Sequence, residues 1–277
     1  MKANINGMSI AYDDVGTGPA VVLIHGFPFD RRMWQPQVAD LVDAGYRIIL
    51  PDLRGFGESQ IPESAWSLAT LATDVVELLN YLGIGRAAFC GASMGGSVLF
   101  HLLDRYPTRV AGACFVSSRS RGDDMIEKVK RSELIDRLSA GHREEVNDTL
   151  CAQLLSGEAI SRCPDLARTL RGWVGEVDQH SLIWGLQAMR DRKDFTPRIR
   201  EFFQPALAVS GGADRIVSPE HGRYLALALP LGVGYELPET GHMVNLEQTE
   251  NFNHCLIEFL VGVRHRRYKK ISLQKVA

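Results

Sequence analysis

The 277-residue sequence predicts an α/β protein: a mostly parallel central sheet flanked by helices, with a helical segment inserted late in the chain. Three observations carry this reading. Short apolar runs alternate with amphipathic stretches, the pattern of successive βα units. Several of the runs are continuously apolar and bounded by Gly or Pro, as strands buried on both faces should be. The alternation then stops from Arg119 to Gln204, where no convincing strand occurs. A connection of that length far exceeds the usual ~2–6 residues and calls for structure of its own.

Taken in order, Met8–Val15 reads as an antiparallel edge strand. Val21–His25, Arg47–Leu50, Ala87–Gly91, Val110–Ser117, Ala206–Ser210 and Gly234–Leu237 read as the buried strands. Leu68, Leu71, Ala72, Val75, Leu78, Leu79 and Leu82 recur at helical spacing, and Gly83 follows as a stop. Val98, Leu99, Leu102, Leu103 and Tyr106 form a second helical stripe, which Pro107 ends. Both stripes read as core packing. Residues 1–118 and 205–277 therefore make up the sheet-bearing core, and 119–204 a helical cap. Leu150, Leu154, Leu155, Leu166, Leu170, Trp173, Trp184 and Leu186 give the cap apolar material to pack, which a loose loop would lack.

The composition is 45% apolar and 23% charged with a net charge of −2, which gives no general attraction to nucleic acid or acidic membrane. The one basic run, Arg264 to Lys270, reads as a solvated chain end. Five cysteines, at 90, 114, 151, 163 and 255, show no CxxC pair and read as reduced thiols. The N-terminus lacks the apolar stretch of a signal peptide, and no window approaches the ~18 apolar residues of a membrane span. A cytoplasmic protein is expected.

The strongest chemical signal is Gly91-Ala92-Ser93-Met94-Gly95-Gly96, set between an apolar strand and an amphipathic helix. G-x-S-x-G in that context is a nucleophile elbow: a strained strand-to-helix turn lifts the serine hydroxyl clear of the sheet, and glycines avoid collisions on either side. Ser93 needs a base to be nucleophilic at neutral pH. His242, in Glu239-Thr240-Gly241-His242, follows a predicted strand end. His101 and His254 fall within helices, and His142, His180, His221 and His265 have no strand-end placement. Asp214, in Ser210-Gly211-Gly212-Ala213-Asp214, follows the preceding strand and is suited to orient the histidine. Asp123 and Asp124 are the alternatives after the strand before that, and Asp214 is preferred. The order Ser, acid, His is that of α/β-hydrolases. The oxyanion donors expected are the backbone N–H groups of Phe27 and Met94, since Pro28 has none to give. His25 then reads as a turn-stabilising residue. Two decoys are set aside. Gly83-Ile84-Gly85-Arg86-Ala87-Ala88 fits a loose dinucleotide pattern but opens no helix, and Asp52 and Arg54 read as shaping a loop near the pocket. No metal-ligand spacing and no phosphate-cradling loop is seen.

HGFPFDRRMW, PDLRGFGES, GASMGG, GGADRIVSP and ETGHMVNLE together resemble the α/β-hydrolase superfamily, and more narrowly its esterase, enol-lactonase and carbon–carbon bond hydrolase branches. The resemblance spans roughly residues 8–262. It implies the triad Ser93, Asp214 and His242, the two amide donors and no cofactor. A serine rather than an aspartate at position 93 disfavours haloalkane dehalogenase and epoxide hydrolase activity. Hydrolysis of a small-molecule ester or lactone through an acyl-Ser93 intermediate is the leading expectation, with Phe27, Phe29, Trp34, Trp173 and Trp184 as candidate pocket walls. Carbon–carbon bond cleavage or cofactor-free perhydrolysis is the alternative within enzymes. A slow-turnover ligand-binding signalling protein is the alternative outside them.

Overall fold

A computed structural model of the protein describes residues 1–265 and the strand Gln274–Lys275. Of the basic run Arg264–Lys270, residues 266–270 lie outside the described residues. The strands are β1 (Lys2–Ile5), β2 (Met8–Val15), β3 (Ala20–Ile24), β4 (Arg47–Pro51), β5 (Ala87–Ala92), β6 (Val110–Val116), β7 (Ala206–Gly211), β8 (Gly232–Leu237) and β9 (Gln274–Lys275). They form one sheet in the order β1-β2-β4-β3-β5-β6-β7-β8-β9. From β4 to β9 neighbours run parallel, while β1 and β2 pair antiparallel at one end. β2 is antiparallel as expected but is not the edge, because β1 lies outside it.

Along each parallel strand, side chains alternate between two buried layers. Val22, Ile24, Phe89, Phe115, Ala206 and Ala208 face the layer of α2 (Leu68–Tyr81) and α3 (Met94–Arg105). Val21, Leu23, Cys90, Cys114, Leu207 and Val209 face the layer that holds Leu41 of α1 (Gln35–Asp43) and Phe252 and Leu256 of α11 (Thr249–Arg264). The predicted stripe Leu68–Leu79 is the buried face of α2, which starts in a Ser67–Thr70 capping box. Gly83 follows it with φ +68, a conformation that costs glycine little.

One predicted pocket wall is corrected. Trp34 is fully buried and packs against Phe252 with ring centroids 6.1 Å apart, so its indole serves the core between the turn Arg31–Trp34 and α11.

Between β6 and β7 the chain forms α4 (Met125–Ser139), α5 (Arg143–Cys151), α6 (Gly157–Arg162), α7 (Pro164–Glu176) and α8 (Gln179–Arg190), with no strand among them. α9 (Pro219–Ala228) and α10 (Val244–Glu247) complete the helices of the core. No helix among the described residues is long and apolar enough to cross a membrane.

His101 of α3 is buried edge-on against Phe195, with ring centroids 5.0 Å apart. Burial, aided by the nearby Lys193 charge, pushes its pKa down to about 4. The unfolded chain binds this proton below about pH 6.5, the folded protein only near 4, so stability is full above that window and falls as pH drops through it. The loss is expected to reach about 3 kcal/mol. Urea unfolding at about pH 7.5 and about pH 4.5 checks this: His101→Phe should lose less stability on acidification than the wild type, and an equal loss would contradict it.

Candidate active site

β5 ends at Ala92, and α3 begins at Met94. The single residue between them, Ser93, has φ +50 and ψ −107, a strained backbone that few side chains adopt. The surroundings enforce it. Ser93 N–H donates to the Val116 carbonyl at 2.8 Å, and Ser118 Oγ donates to the Ser93 carbonyl at 3.0 Å, both from the end of β6. The glycines of the motif are required by close approach. A Cβ on Gly91 would lie 2.5 Å from the Gly95 carbonyl carbon, and one on Gly95 would lie 2.8 Å from the His25 carbonyl oxygen. Ser93 is partly exposed in a neighbourhood where Gly91, Ala92 and Met94 are buried.

The turn after β3 lies against this elbow. A Cβ on Gly26 would sit 3.2 Å from the Ala92 carbonyl oxygen and 3.5 Å from Ser93 Cβ. His25 holds the turn: its Nε2 accepts the Leu53 N–H at 2.9 Å, so Nδ1–H donates to the Gly26 carbonyl at 3.0 Å. Burial keeps the ring neutral, with its pKa lowered. Both ring nitrogens are thus engaged in turn structure. Among the described residues, the N–H groups of Phe27 and Met94 have no acceptor. Met94 follows Ser93 directly at the start of α3, and Phe27 follows Gly26, the glycine that lies against the elbow. The Phe27–Pro28 peptide bond is cis.

Asp214 and His242 follow β7 and β8 at the same edge of the sheet as Ser93. Asp214 Oδ1 accepts the N–H groups of Ile216 and Val217 at 2.8 and 2.9 Å, which fixes the carboxylate plane. Its Oδ2 accepts His242 Nδ1–H at 2.8 Å, in a pair whose carboxylate is fully buried. That bond selects the tautomer in which Nε2 carries the lone pair. No hydrogen bond joins His242 Nε2 to Ser93 Oγ. In unliganded sites such bonds are commonly long and tighten only around substrate.

The alternative acids have other partners. Asp123 takes guanidinium groups from Arg119 at 2.8 Å and from Arg131 and Arg192 at 2.5 Å, and Asp124 caps α4 by accepting the Glu127 N–H at 2.9 Å. Asp52 accepts the N–H groups of Arg31 and Glu58 and an ion pair from Arg31, while Arg54 is held by Asp74 at 2.6 and 2.7 Å. Both residues shape the Leu53–Ser59 loop. The remaining histidines sit on helices: His254 is exposed on α11, His142 and His180 are exposed at helix starts, and His221 lies in α9 near Arg119 and Arg121.

Of the proposed aromatic walls, Phe27 packs edge-on to Phe56 at 6.1 Å and Phe29 to Trp173 of α7 at 6.4 Å. Trp184 of α8 lies beside His180. A separate polar cavity of about 400 Å³ lies between Arg31, Arg32, Asp52 and the Trp173–Asp178 region; neither Ser93 nor His242 lines it.

Residues 19–136 match the family model described as alpha/beta hydrolase fold. The chain is 30% identical to a non-heme chloroperoxidase of Kitasatospora aureofaciens over 278 residues, covering 92% of this chain and 97% of the other. Among solved structures it is similar to a thermophilic esterase from Thermogutta terrifontis, with TM-score 0.90, 30% identity, and 95% and 98% of the two chains covered. It also resembles an enol-lactonase from Burkholderia xenovorans, with TM-score 0.86, 27% identity, and 94% and 100% covered. The chain belongs to the α/β-hydrolase superfamily.

Proposed function

We propose that the protein is a serine hydrolase that cleaves a carboxylic ester or lactone of a small molecule through an acyl-Ser93 intermediate. The observation that carries this reading is the convergence on one sheet edge of a strained serine, two acceptor-free amides and a buried Asp–His hydrogen bond. His242 Nε2 takes the proton of Ser93 Oγ as the oxygen adds to the ester carbonyl. The N–H groups of Phe27 and Met94 stabilise the resulting oxyanion, aided by the positive end of α3. Asp214 stabilises the imidazolium without accepting its proton. The alcohol leaves with the proton from His242, and water, deprotonated by the same nitrogen, releases the acid.

The α4–α8 segment acts as the cap, extending over the site from the ends of β6 and β7. Phe27, Trp173 and Trp184 supply apolar surface for the acyl or alcohol group, with Phe29 buried behind Trp173. The similarity to an esterase and to an enol-lactonase supports ester or lactone chemistry.

Turnover of short-chain aryl esters by the purified protein tests the reading. Hydrolysis that saturates with substrate is expected, and a protein that turns over neither aryl esters nor simple lactones would count against it.

A further inference from the structure

Glu247, at the end of α10, joins the histidine loop to the helical segment. Its Oε2 accepts two main-chain N–H groups from opposite sides: Gly241 at 2.9 Å, next to His242, and Ser156 at 3.1 Å, in the link between α5 and α6. The same link supplies a second tie. The Leu154 carbonyl accepts the N–H groups of His242 and Met243 at 2.9 and 3.3 Å. Two acceptors therefore hold four amides, and the two chain segments meet without room for a side chain between them. A Cβ on Gly241 would lie 2.5 Å from the Ser156 nitrogen and 2.7 Å from the Leu155 carbonyl carbon.

The second oxygen of Glu247 is buried with no hydrogen-bond partner. Desolvating a carboxylate oxygen without a partner costs stability, so a fold selected for stability alone has little reason to keep it. A carboxylate accepting two N–H groups makes stronger, better-directed bonds than a neutral acceptor would.

We propose that Glu247 is a positioning residue for His242, tying the histidine loop to the Leu154–Ser156 link so that the base is fully seated only while the helical segment is docked. The inference rests on the role given to His242 above. Glu247 touches no reacting atom; it acts through the main chain on either side of the imidazole.

Glu247→Ala and Glu247→Gln, measured beside the wild type, test this. In the Ala variant kcat for an aryl ester and the rate of Ser93 labelling by a fluorophosphonate should both fall about 10- to 100-fold, the cost of loosened geometry, with KM nearly unchanged. Hydrogen exchange should rise at Ser156 and Gly241 and also at His242 and Met243, whose N–H groups go to the Leu154 carbonyl and not to the Glu247 side chain. Glu247→Gln keeps an acceptor oxygen and should recover most of the rate, within about fivefold of the wild type. A folded Ala variant with wild-type labelling and turnover overturns the proposal, and so does a lost rate with unchanged exchange at His242 and Met243. Should the Ala variant not fold, Glu247→Asp decides, its shorter side chain drawing the carboxylate back from the Ser156 and Gly241 amides: raised exchange at all four amides with slower Ser93 labelling supports the tie, and unchanged exchange and rate overturn it. If the wild type neither labels at Ser93 nor turns over esters, it is the hydrolase reading that fails; the exchange measurements still judge the tie.

Discussion

Ser93→Ala is expected to lower kcat for aryl esters by about 10⁴- to 10⁶-fold, because it removes the atom that forms the covalent bond. The residual rate would come from the Phe27 and Met94 amides and from substrate binding, which the substitution leaves in place. The change should not harm the fold. Ser93 Oγ makes no hydrogen bond among the described residues, and alanine keeps the Cβ that the elbow already accommodates. The backbone strain at φ +50 remains, so stability should stay within about 0.5 kcal/mol of the wild type. Steady-state kinetics and urea unfolding of the same preparation separate the two effects. Turnover equal to that of the wild type would show that the reaction does not run through Ser93.

Asp123→Asn is expected to be the most damaging substitution to stability, at about 3–5 kcal/mol. The Asp123 carboxylate is fully buried and takes guanidinium groups from Arg119, Arg131 and Arg192. Burial alone would raise its pKa, yet Arg131, Arg192 and Arg119 together hold it below the usual carboxylate range. The stabilisation is therefore present above the ordinary carboxylate pKa and lost as pH falls through the lowered one. Asparagine fits the space but leaves three guanidinium groups, those of Arg119 and Arg192 largely buried, facing a neutral amide. The damage should centre on the helical segment, since these arginines join the end of β6, α4 and the turn after α8. Thermal and urea unfolding measure it. A loss below about 1 kcal/mol would mean that solvent or other acids already compensate these arginines.

The parts of this arrangement that were legible in the sequence are those that a single local pattern demands. A strand-to-helix turn with serine at its tip needs glycines at 91 and 95, and close approach to Gly95 and to the His25 carbonyl explains both in the structure. The strand ends preceding Asp214 and His242 could be read from apolar runs bounded by glycine. β1 could not: four residues with alternating burial at the start of the chain offer too short a pattern. Trp34 illustrates a different limit. An aromatic residue close in sequence to an oxyanion turn suggests a pocket wall, but whether it faces the pocket or α11 depends on packing across more than 200 residues of sequence, and here Phe252 takes it. Asp123 and Asp214 differ little as sequence, both lying shortly after a strand. Chain order favours Asp214, but the arginines from α4 and the turn after α8 that engage Asp123 come together only in three dimensions. Glu247 was invisible for a related reason: what it does lies in two main-chain amides that the fold alone brings together.

The central claim, that Ser93 is the nucleophile, is most directly tested by fluorophosphonate labelling followed by peptide mass mapping. One phosphonyl group per chain is expected, located on Ser93, with ester hydrolysis lost in proportion to labelling. Labelling that falls on another residue, or full ester turnover by protein stoichiometrically modified at Ser93, would contradict it.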